Sequence, residues 1–420
     1  MAETHATRRF DIVISGASFA GLAFARALLS ALGNEIRIAI VDRTARTGTP
    51  LPDARAFALS AGAQRMLDTL GIWKDVASAA QPVSEIEITD SSLEAGIRPV
   101  LLKYDNHLDQ ARETGSAEPA SYIVPATALE QALYRSVASD PSLTFIVPGE
   151  IASFTDTGSA VAVTLRDGST IAAALLVGAE GRRSASRDGA GIKTIGWRYG
   201  QTAIVTTIAH ERPHNGHAVQ HFLPGGPFAI LPLPGNRACL TWSEEENEAK
   251  RILALDDEGF LAEIETRVAG RLGKLSLAGP RQAWPLEMHL ARAYVAPRFA
   301  LLGDAAHGVH PIAGQGVNLA FRDVAALSEI VVDTLRIGLD PGNLETLGRY
   351  ERWRRFDSAL SAAAFDGLNR LFSNDALLVR AARDFGLGLV DRMPALKRRL
   401  VSEAAGLTGD LPRLFKSERL

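Results

Sequence analysis

The first 42 residues combine a strand, a glycine turn and a helix in the order that most restricts the fold of this chain. Residues 10–15 are a continuous apolar run, which predicts a strand buried in a parallel sheet. The turn at 16–21 follows, then a helical pattern over 19–32 and a strand over 36–41 that closes with Asp42. A turn glycine, a helix N-terminus and a carboxylate for ribose hydroxyls are the parts of a dinucleotide fingerprint. The sequence therefore predicts a Rossmann-like nucleotide-binding unit.

The fingerprint departs from its usual pattern at one position. Ser18 stands where a glycine would let the backbone approach a pyrophosphate closely. We expect its hydroxyl to meet a phosphate, so that binding is altered and not abolished. A strand-turn-helix that binds nothing is the alternative, and Asp42 at the required distance argues against it. The contacts predicted from this unit are Gly16, Ser18, Ala20, Gly21, Asp42 and Arg43.

Composition limits the class of partner. The 45 Lys and Arg against 48 Asp and Glu leave a formal charge of -3, which gives no electrostatic reason to expect nucleic acid. The single cysteine, Cys239, excludes an intramolecular disulfide and a CxxC site. No apolar run approaches the roughly 20 residues of a spanning helix, and few polar residues precede the first strand. We therefore predict a cytoplasmic enzyme with no nucleic-acid partner.

The rest of the chain divides into three kinds of pattern. Strand-like runs dominate 196–290, and the strand at 299–302 then returns to the nucleotide-fold pattern, so 196–290 is a candidate inserted domain. A helical pattern runs over 59–70, and the turn at 166–168 between two strand-like runs predicts a hairpin. Residues 104–119 are charged and low in apolar content, and predict an exposed loop or a hairpin tip. Beyond Asn318 the pattern is helical, with breaks near 338–343, 386–388, 394 and 406. A length of 420 residues also exceeds what one hydrophobic core usually serves.

Two late segments identify the cofactor. Residues 302–307 read LGDAAH and residues 311–320 read PIAGQGVNLA. Together they resemble the group A flavoprotein hydroxylases, whose GDAAH segment binds the ribityl chain of FAD and whose glycine-rich turn contacts the isoalloxazine ring. Asp304 offers a carboxylate to a sugar-alcohol hydroxyl, and a helix beginning near Val317 or Asn318 directs its positive end at the pyrimidine edge. His307 and His310 as an HxxH metal pair is the rival interpretation, but no third ligand lies nearby and we predict no metal.

Two further segments add to the resemblance. Residues 176–181, LVGAEG, with Ser184 and Arg187 downstream, resemble the family's GADG segment, in which Glu180 here replaces Asp. Residues 53–60 are similar to the early segment in which an arginine, here Arg55, helps to hold the cofactor. Thr127 stands where the family often has an arginine, which puts that contact in doubt. The resemblance adds these predicted cofactor contacts: Arg55, Glu180, Gly303, Asp304, Gly316, Val317 and Asn318.

The order and spacing of weaker segments narrow the resemblance to the UbiH and UbiF type ubiquinone-biosynthesis hydroxylases over nearly the whole chain. Those segments are 197–201, 226–233, 283–286, 310–318 and 371–374. The resemblance implies an α/β fold with a Rossmann-like FAD-binding domain of the GR2 type, like that of para-hydroxybenzoate hydroxylase, an inserted mainly antiparallel β-sheet substrate domain and a helical C-terminal region. The implied divisions are 1–82, 120–190 and 291–375 for FAD, 83–119 and 191–290 for substrate, and 376–420 for the C-terminal helices.

The resemblance also implies the chemistry. NAD(P)H reduces bound FAD, O2 adds to give a flavin hydroperoxide, and this species hydroxylates the aromatic ring of a polyprenylated phenol in ubiquinone biosynthesis. Pro311, Gly314 and Gly316 are predicted to shape the flavin face, and no covalent catalyst is needed. Two alternatives stay open. One is another flavin chemistry on the same fold, such as a small-aromatic hydroxylase or a prenyl reductase; the other is a non-catalytic subunit of a quinone-biosynthesis complex, suggested only by Ser18 and Glu180.

Apolar and basic residues alternate between Leu377 and Leu407. This pattern is typical of a basic amphipathic surface, and we expect it to dock on the inner face of the cytoplasmic membrane or on a partner assembly, where a lipid-like substrate resides. Helices that pack on the flavin domain with a solvated charged face fit the same pattern. The basic residues concerned are Arg380, Arg383, Arg392, Lys397, Arg398 and Arg399.

Overall fold

A computed structural model of the protein describes residues 8–44, 52–90, 93, 100–108, 118–223, 225–311, 314–372 and 393–420. The strands are β1 Arg8–Ser15, β2 Ile38–Val41, β3 Ala56–Ser60, β4 Gln81–Pro82, β5 Glu85–Asp90, β6 Val100–Asp105, β7 Ser121–Pro125, β8 Leu143–Ile146, β9 Ile151–Asp156, β10 Val161–Leu165, β11 Thr170–Gly178, β12 Thr194–His210, β13 His217–Leu223, β14 Gly226–Leu233, β15 Arg237–Glu245, β16 Leu275–Leu277, β17 Gln282–Ala291, β18 Val295–Ala296, β19 Phe299–Leu301 and β20 His307–Gly308. The helices are α1 Phe19–Leu32, α2 Ala61–Thr69, α3 Trp73–Val76, α4 Ala126–Ala138, α5 Ala185–Gly189, α6 Glu246–Leu253, α7 Asp257–Val268, α8 Gly316–Arg336, α9 Leu344–Phe372 and α10 Pro394–Ala404.

The first sheet is built around β1. Its order is β18-β19-β11-β1-β2-β8, and β1 runs parallel to both β2 and β11, as β19 does to β11 and β8 to β2. β10 adds antiparallel to β11, so the turn that follows Leu165 is the predicted hairpin. Ile12, Val13 and Ile14 are fully buried because α1 and α8 belong to the same core as β1. The predicted Rossmann-like α/β unit is confirmed, with α1 at the predicted bounds.

The second sheet has the order β20-β17-β12-β15-β14-β13-β5-β6, and a separate three-stranded sheet has the order β3-β7-β4. The second sheet is antiparallel except where β13 pairs with β5. α6 and α7 pack on it around a second core that contains Trp242 and Phe260. The mainly antiparallel inserted sheet is therefore confirmed. β20 joins this sheet although 307–308 lie inside the range predicted for FAD, and the division boundaries stay a prediction.

Two local predictions need correction. Tyr104 was expected in an exposed loop, but it lies in β6 opposite Ile86, because this edge of the sheet accepts a strand with charged residues on its open side. Burial raises the pKa of Tyr104 to about 12. The helical pattern at 59–70 begins only at Ala61, since Ser60 ends β3 and accepts a capping hydrogen bond from the N–H of Ala63.

The C-terminal part is helical as predicted. α8 and α9 are separated by the predicted break at 338–343, and α10 begins at the predicted Pro394. Most of the basic amphipathic stretch, 377–392, lies outside the described residues, together with the predicted break at 386–388. Among the helices described, none is long and apolar enough to cross a membrane.

Candidate cofactor site

The parallel register brings four predicted motifs to one edge of the first sheet. Ser15 lies opposite both Val41 and Gly178, and Gly178 lies opposite Leu301. The carboxyl ends of four parallel strands therefore form one row, which is where ligands bind in sheets of this kind. A predicted contact follows each strand within two residues: Gly16, Asp42, Glu180 and Gly303.

The first turn brings its backbone close to the end of β11. Gly16 has φ +107°, and its N–H donates to the carbonyl of Val41 at 2.8 Å. A Cβ at Gly16 would lie 2.6 Å from the carbonyl oxygen of Ala179. Only glycine combines this φ with this approach, so the turn predicted from the fingerprint has a steric reason.

Ser18 has a different partner from the one expected. Its hydroxyl donates to the carbonyl of Ala179 at 2.9 Å, which ties the start of α1 to the end of β11. The hydroxyl thus has a partner within the protein, and a contact of Ser18 with a phosphate stays a prediction. Ser18 is also the N-cap of α1 and gives that helix no side-chain cap. The first backbone N–H groups of α1 consequently remain available to an anion at the sheet edge.

The Asp42 carboxylate accepts two backbone hydrogen bonds, one of them from the glycine turn. One carboxylate oxygen accepts from the N–H of Ala17 at 2.7 Å, and the other accepts from the N–H of Thr44 at 2.8 Å. Each carboxylate oxygen can accept a second hydrogen bond. A ribose contact by Asp42 thus stays a prediction, and so does a contact by the exposed Arg43.

Glu180 joins three elements. Its Oε1 accepts from the hydroxyl of Ser15 at 2.6 Å, and its Oε2 accepts from the hydroxyls of Ser184 and Ser186 and from the N–H of Ser186 at 3.1 Å. These partners lie at the end of β1 and the start of α5. The extra methylene relative to Asp lets the carboxylate reach across to β1. Glu180 therefore fixes the spacing of the strand ends, and its direct contact with a cofactor stays a prediction.

The GDAAH turn packs between two helices. Gly303 has φ +56°, and a Cβ there would lie 2.9 Å from Cβ of Ala320 on α8 and 3.4 Å from Cβ of Ala20 on α1. The predicted Ala20 contact is thus a packing contact with this turn. The Asp304 side chain is 45% exposed, and its Oδ2 lies 3.6 Å from Nε of Arg182. The turn is fixed while its carboxylate faces the open edge.

Two side chains bind this turn to its surroundings: Arg187, which the sequence indicated only as part of a motif, and His289, which sequence reasoning missed. Arg187 donates to the carbonyls of Arg182 and Ala305 at 3.0 and 3.2 Å. His289 on β17 lies with Nε2 2.8 Å from the carbonyl of Asp304, and burial lowers the pKa of His289, so the neutral ring donates there. The two arginines after the GAEG segment were a usable signal. His289 carried none, because it sits more than a dozen residues away in another sheet.

The glycine-rich turn leads into α8, which begins at Gly316, one residue before the predicted start. Asn318 accepts from the N–H of Ser60 at 3.0 Å and donates to the carbonyl of Ala58 at 2.8 Å, so its amide extends the hydrogen bonding of β3. A Cβ at Gly314 would lie 3.2 Å from Cβ of Ala58. Asn318 and Gly314 therefore fix the turn against β3. Contacts of the cofactor with Pro311, Gly316, Val317 and Asn318 stay predictions.

The Arg55 side chain lies between Phe57 of β3 and Trp284 of β17 in the second sheet. It donates to Asp53 from Nε at 3.0 Å and from Nη2 at 2.7 Å, and its guanidinium stacks 5.4 Å from the ring of Phe57 and 5.3 Å from the ring of Trp284. Paired stacking of this kind holds a planar cation in one orientation. The structure thus fixes the Arg55 side chain, and its contact with a cofactor stays a prediction.

An apolar cluster lies beside the glycine-rich turn, between the two sheets. Met288, Val309, Leu319 and Ala362 are buried together, and Tyr199 packs against them. The Tyr199 ring lies edge-on to His310 with centroids 5.0 Å apart. Burial, and next the charge of Arg182, lower the pKa of His310 to about 4, so this imidazole is neutral. The cluster is apolar and its histidine adds no charge of its own, so it suits contact with a hydrophobic ring.

The histidines proposed as the rival metal pair have separate partners. Nε2 of His307 lies at hydrogen-bonding distance from Asp323, while His310 faces Tyr199. A different group, Glu85, Glu87 and His217 on the second sheet, has atoms close enough for one ion. Lys103 pairs with Glu85 at 2.6 Å and Arg271 pairs with Glu87, so these carboxylates already have cations. We assign this group to ion pairing.

The site fits FAD on three observations. Gly16 and Gly303 line the edge where any Cβ would meet backbone or a neighbouring helix, which leaves a cradle of bare backbone. α1 and α8 both begin at this edge without a side-chain cap, so their N–H groups and positive dipole ends face it. The exposed carboxylate of Asp304 can accept hydrogen bonds from hydroxyl groups. Pyrophosphate, polyol and a flat ring match these three features.

Comparison with known proteins agrees with this fit. Residues 9–355 match the family described as FAD binding domain. "Ubiquinone hydroxylase UbiL" of Rhodospirillum rubrum is 44% identical over 369 residues, which cover 87% of this chain and 83% of that protein. "3-demethoxyubiquinol 3-hydroxylase" of Escherichia coli is 32% identical over 85% of this chain and 88% of its own length. p-Nitrophenol 4-monooxygenase PnpA of Pseudomonas putida DLL-E4 has the same fold, with a TM-score of 0.78 at 16% identity over 96% of this chain and 99% of that chain.

Proposed function

This chain belongs to the FAD binding domain family and, within it, to the ubiquinone-biosynthesis hydroxylases, and on that premise we propose that it hydroxylates the aromatic ring of a polyprenylated phenol. It is an FAD-dependent monooxygenase. We propose NAD(P)H as the electron donor and O2 as the source of the inserted oxygen. The row of four strand ends, with its bare backbone and two uncapped helices, is the observation that carries the proposal.

FAD, when bound, would accept hydride and activate oxygen. The protein binds and orients the cofactor and the substrate, and it excludes water from them. The N–H groups of α1 would hold the pyrophosphate, and Asp42 and Asp304 would accept hydrogen bonds from the ribose and the ribityl chain. The uncapped start of α8 would stabilise negative charge on the pyrimidine edge of the ring. Pro311 and Gly316 shape the face beside that ring.

The apolar cluster is the proposed position of the substrate ring. Tyr199, Met288 and Val309 provide apolar contact, and the neutral His310 adds no charge to be desolvated. Such a wall keeps water from the reacting atoms, which protects the chemistry from side reactions. A hydroxylase of small aromatic compounds would have the same apolar wall. The two functions differ in whether the substrate carries a prenyl chain.

Contact with a membrane surface is part of the proposal, since a polyprenyl phenol partitions into a bilayer. Large apolar side chains of α9 are exposed: Phe356 at 76%, Leu360 at 60%, Leu368 at 41% and Leu371 at 40%. With spacings of one turn, two turns and one turn along the chain, these four side chains lie on one side of the helix, next to the exposed Arg352 and Arg355. An apolar strip with arginines beside it suits an anionic bilayer.

Oxygen labelling tests the reaction. The purified protein with FAD, NADPH, a short-chain prenylated phenol and 18O2 is expected to give a product that carries one 18O atom on the ring. NADPH oxidation that yields only hydrogen peroxide, or a reduced prenyl chain without oxygen, would favour the other flavin chemistry. A purified protein that neither retains nor takes up FAD would favour the non-catalytic subunit.

Vesicle sedimentation tests the membrane contact. Phe356→Ser with Leu360→Ser is expected to reduce binding to vesicles containing phosphatidylglycerol at least fivefold, because two exposed apolar anchors are lost. Ile337→Ser is the matched control, since Ile337 is 71% exposed but lies beyond the end of α8. Equal binding by all three proteins would rule out α9 as the contact.

A further inference from the structure

A fully buried ionic cluster lies directly behind the GDAAH turn. Asp323 on α8 has no exposed surface, and its Oδ2 accepts from the N–H of Gly303 at 3.2 Å and lies at hydrogen-bonding distance from Nε2 of His307. Its Oδ1 accepts from Nε of Arg354 on α9 at 2.8 Å. Arg354 is 1% exposed and pairs on its other side with Asp357. A carboxylate from α8 and a guanidinium from α9 thus meet at the back of one turn.

The Asp323 carboxylate is ionised in this cluster. Burial alone would raise the pKa of Asp323, but its electrostatic interactions and hydrogen bonds with His307 and Arg354 lower it overall, so the carboxylate is ionised. An ionised carboxylate forms stronger hydrogen bonds to N–H groups than a neutral acceptor does. The N–H of Gly303 and the His307 ring are therefore held firmly.

These bonds hold a turn in which the backbone dihedral angles of Gly303 decide where the Asp304 side chain points. Gly303 sits at φ +56°, and the next residue is Asp304, whose side chain faces the open edge. A small change in the Gly303 dihedrals would redirect Asp304, because the two residues are adjacent in a single 3-10 turn. Asp323 holds the N–H of Gly303 on the side away from that edge.

We propose that Asp323 and Arg354 are positioning residues for the cofactor turn, with Asp323 setting the direction of Asp304 and Arg354 fixing the Asp323 carboxylate in place. The proposal rests on FAD binding at this edge, which is part of the proposed function. Neither side chain touches the cofactor in this arrangement. Their effect passes through the Gly303 backbone and the His307 ring.

Three variants separate positioning from simple stability. Asp323→Leu keeps the number of side-chain atoms but removes the acceptor and leaves Arg354 without it. Asp323→Leu/Arg354→Met removes both charges, and apolar replacements for buried ion pairs are usually well tolerated. Asp357→Asn is the matched control, because it weakens the other partner of Arg354 and leaves the bonds to Gly303 and His307 in place.

The measurement is the dissociation constant of FAD from flavin fluorescence, with the melting temperature of each apoprotein alongside. Asp323→Leu and the double variant are both expected to weaken FAD at least tenfold, while the double variant melts nearer to the wild type than Asp323→Leu does. Asp357→Asn is expected to lower the melting temperature and keep the FAD dissociation constant within twofold.

Two results would overturn the proposal. In one, the double variant regains wild-type affinity together with its melting temperature; in the other, Asp357→Asn weakens FAD as much as Asp323→Leu does. If Asp323→Leu fails to fold, the double variant decides alone. A wild-type protein that binds no FAD would instead contradict the proposed function, so the two failures are distinguishable.

Discussion

The two large sheets place their polar side chains in opposite ways. In the first sheet the polar residues follow the strands directly and gather at one edge, as Asp42 and Asp304 do. In the second sheet a polar pair is buried under the strands: Arg267 on α7 donates to Glu244 on β15 at 2.7 Å, with side-chain exposures of 2% and 8%. Open polar groups at a strand edge suit ligand binding, whereas the Arg267–Glu244 pair is closed within the second sheet and α7 and is expected to affect stability alone. The cofactor site and the structural platform are thus separate parts of one chain.

The largest effect is expected at the first turn. Gly16→Ala should lower the free energy of unfolding by about 4 kcal/mol, from backbone strain and from overlap with the Ala179 carbonyl, and should abolish FAD binding. Gly33→Ala is the control, because Gly33 also has a positive φ, +55° with ψ −127°, but nothing lies within 4 Å of an added Cβ, and it should cost only about 2 kcal/mol. Urea unfolding measures both. Equal costs would mean that the turn tolerates a side chain.

A smaller effect, without loss of cofactor, is expected in the second sheet. Arg267→Met should cost about 3 kcal/mol, because it leaves Glu244 buried without its cation, while FAD affinity stays unchanged. Adding Glu244→Gln should recover part of the loss. Thermal melting and a flavin titration test the pair. A parallel fall in FAD affinity would show that the two sheets do not act separately.

A fall in pH should lower the free energy of unfolding through His310, which lies between the two large sheets. The pKa of His310 is about 4 in the folded protein and 6.5 in an unfolded chain, so the unfolded chain takes up a proton between these values. The stability present above pH 6.5 is therefore lost as the pH falls, by about 2 kcal/mol at pH 5. His310→Asn should remove most of this difference between pH 7.5 and pH 5 in urea unfolding. An unchanged pH dependence in the variant would mean that His310 is charged or exposed.

The smallest effect is expected at Ser18. Ser18→Gly removes one hydrogen bond to Ala179 and should cost about 1 kcal/mol or less, with FAD affinity within twofold of wild type. The measurement is again a flavin titration with thermal melting. A large loss of FAD affinity would support a direct phosphate contact for the Ser18 hydroxyl.

The sequence predicted what depends on neighbours along the chain. The bounds of α1 and the turn at Gly16 follow from local periodicity and spacing, and so does the hairpin between β10 and β11. It also predicted the fold and the cofactor, because the motif order matches a known family. These features need no knowledge of which distant residues meet.

The sequence could not predict the contacts that cross between distant segments. Glu180 meets Ser15 across 165 positions, and Asn318 meets Ser60 across 258. Both had been assigned to the cofactor because their motifs were known and their partners were not. Arg354 and Asp323 carried no motif at all, although a buried ion pair between two helices is physically costly to leave incomplete.

Hydrogen exchange of the protein with and without FAD tests the central claim, that the cofactor lies across the row of parallel strand ends. Addition of FAD is expected to slow exchange of the backbone N–H groups in three short segments, while those of β13 to β15 in the second sheet exchange as before. The segments are 16–20, 303–305 and 314–318. Protection confined to the second sheet, or no protection at the three segments under saturating FAD, would contradict the account.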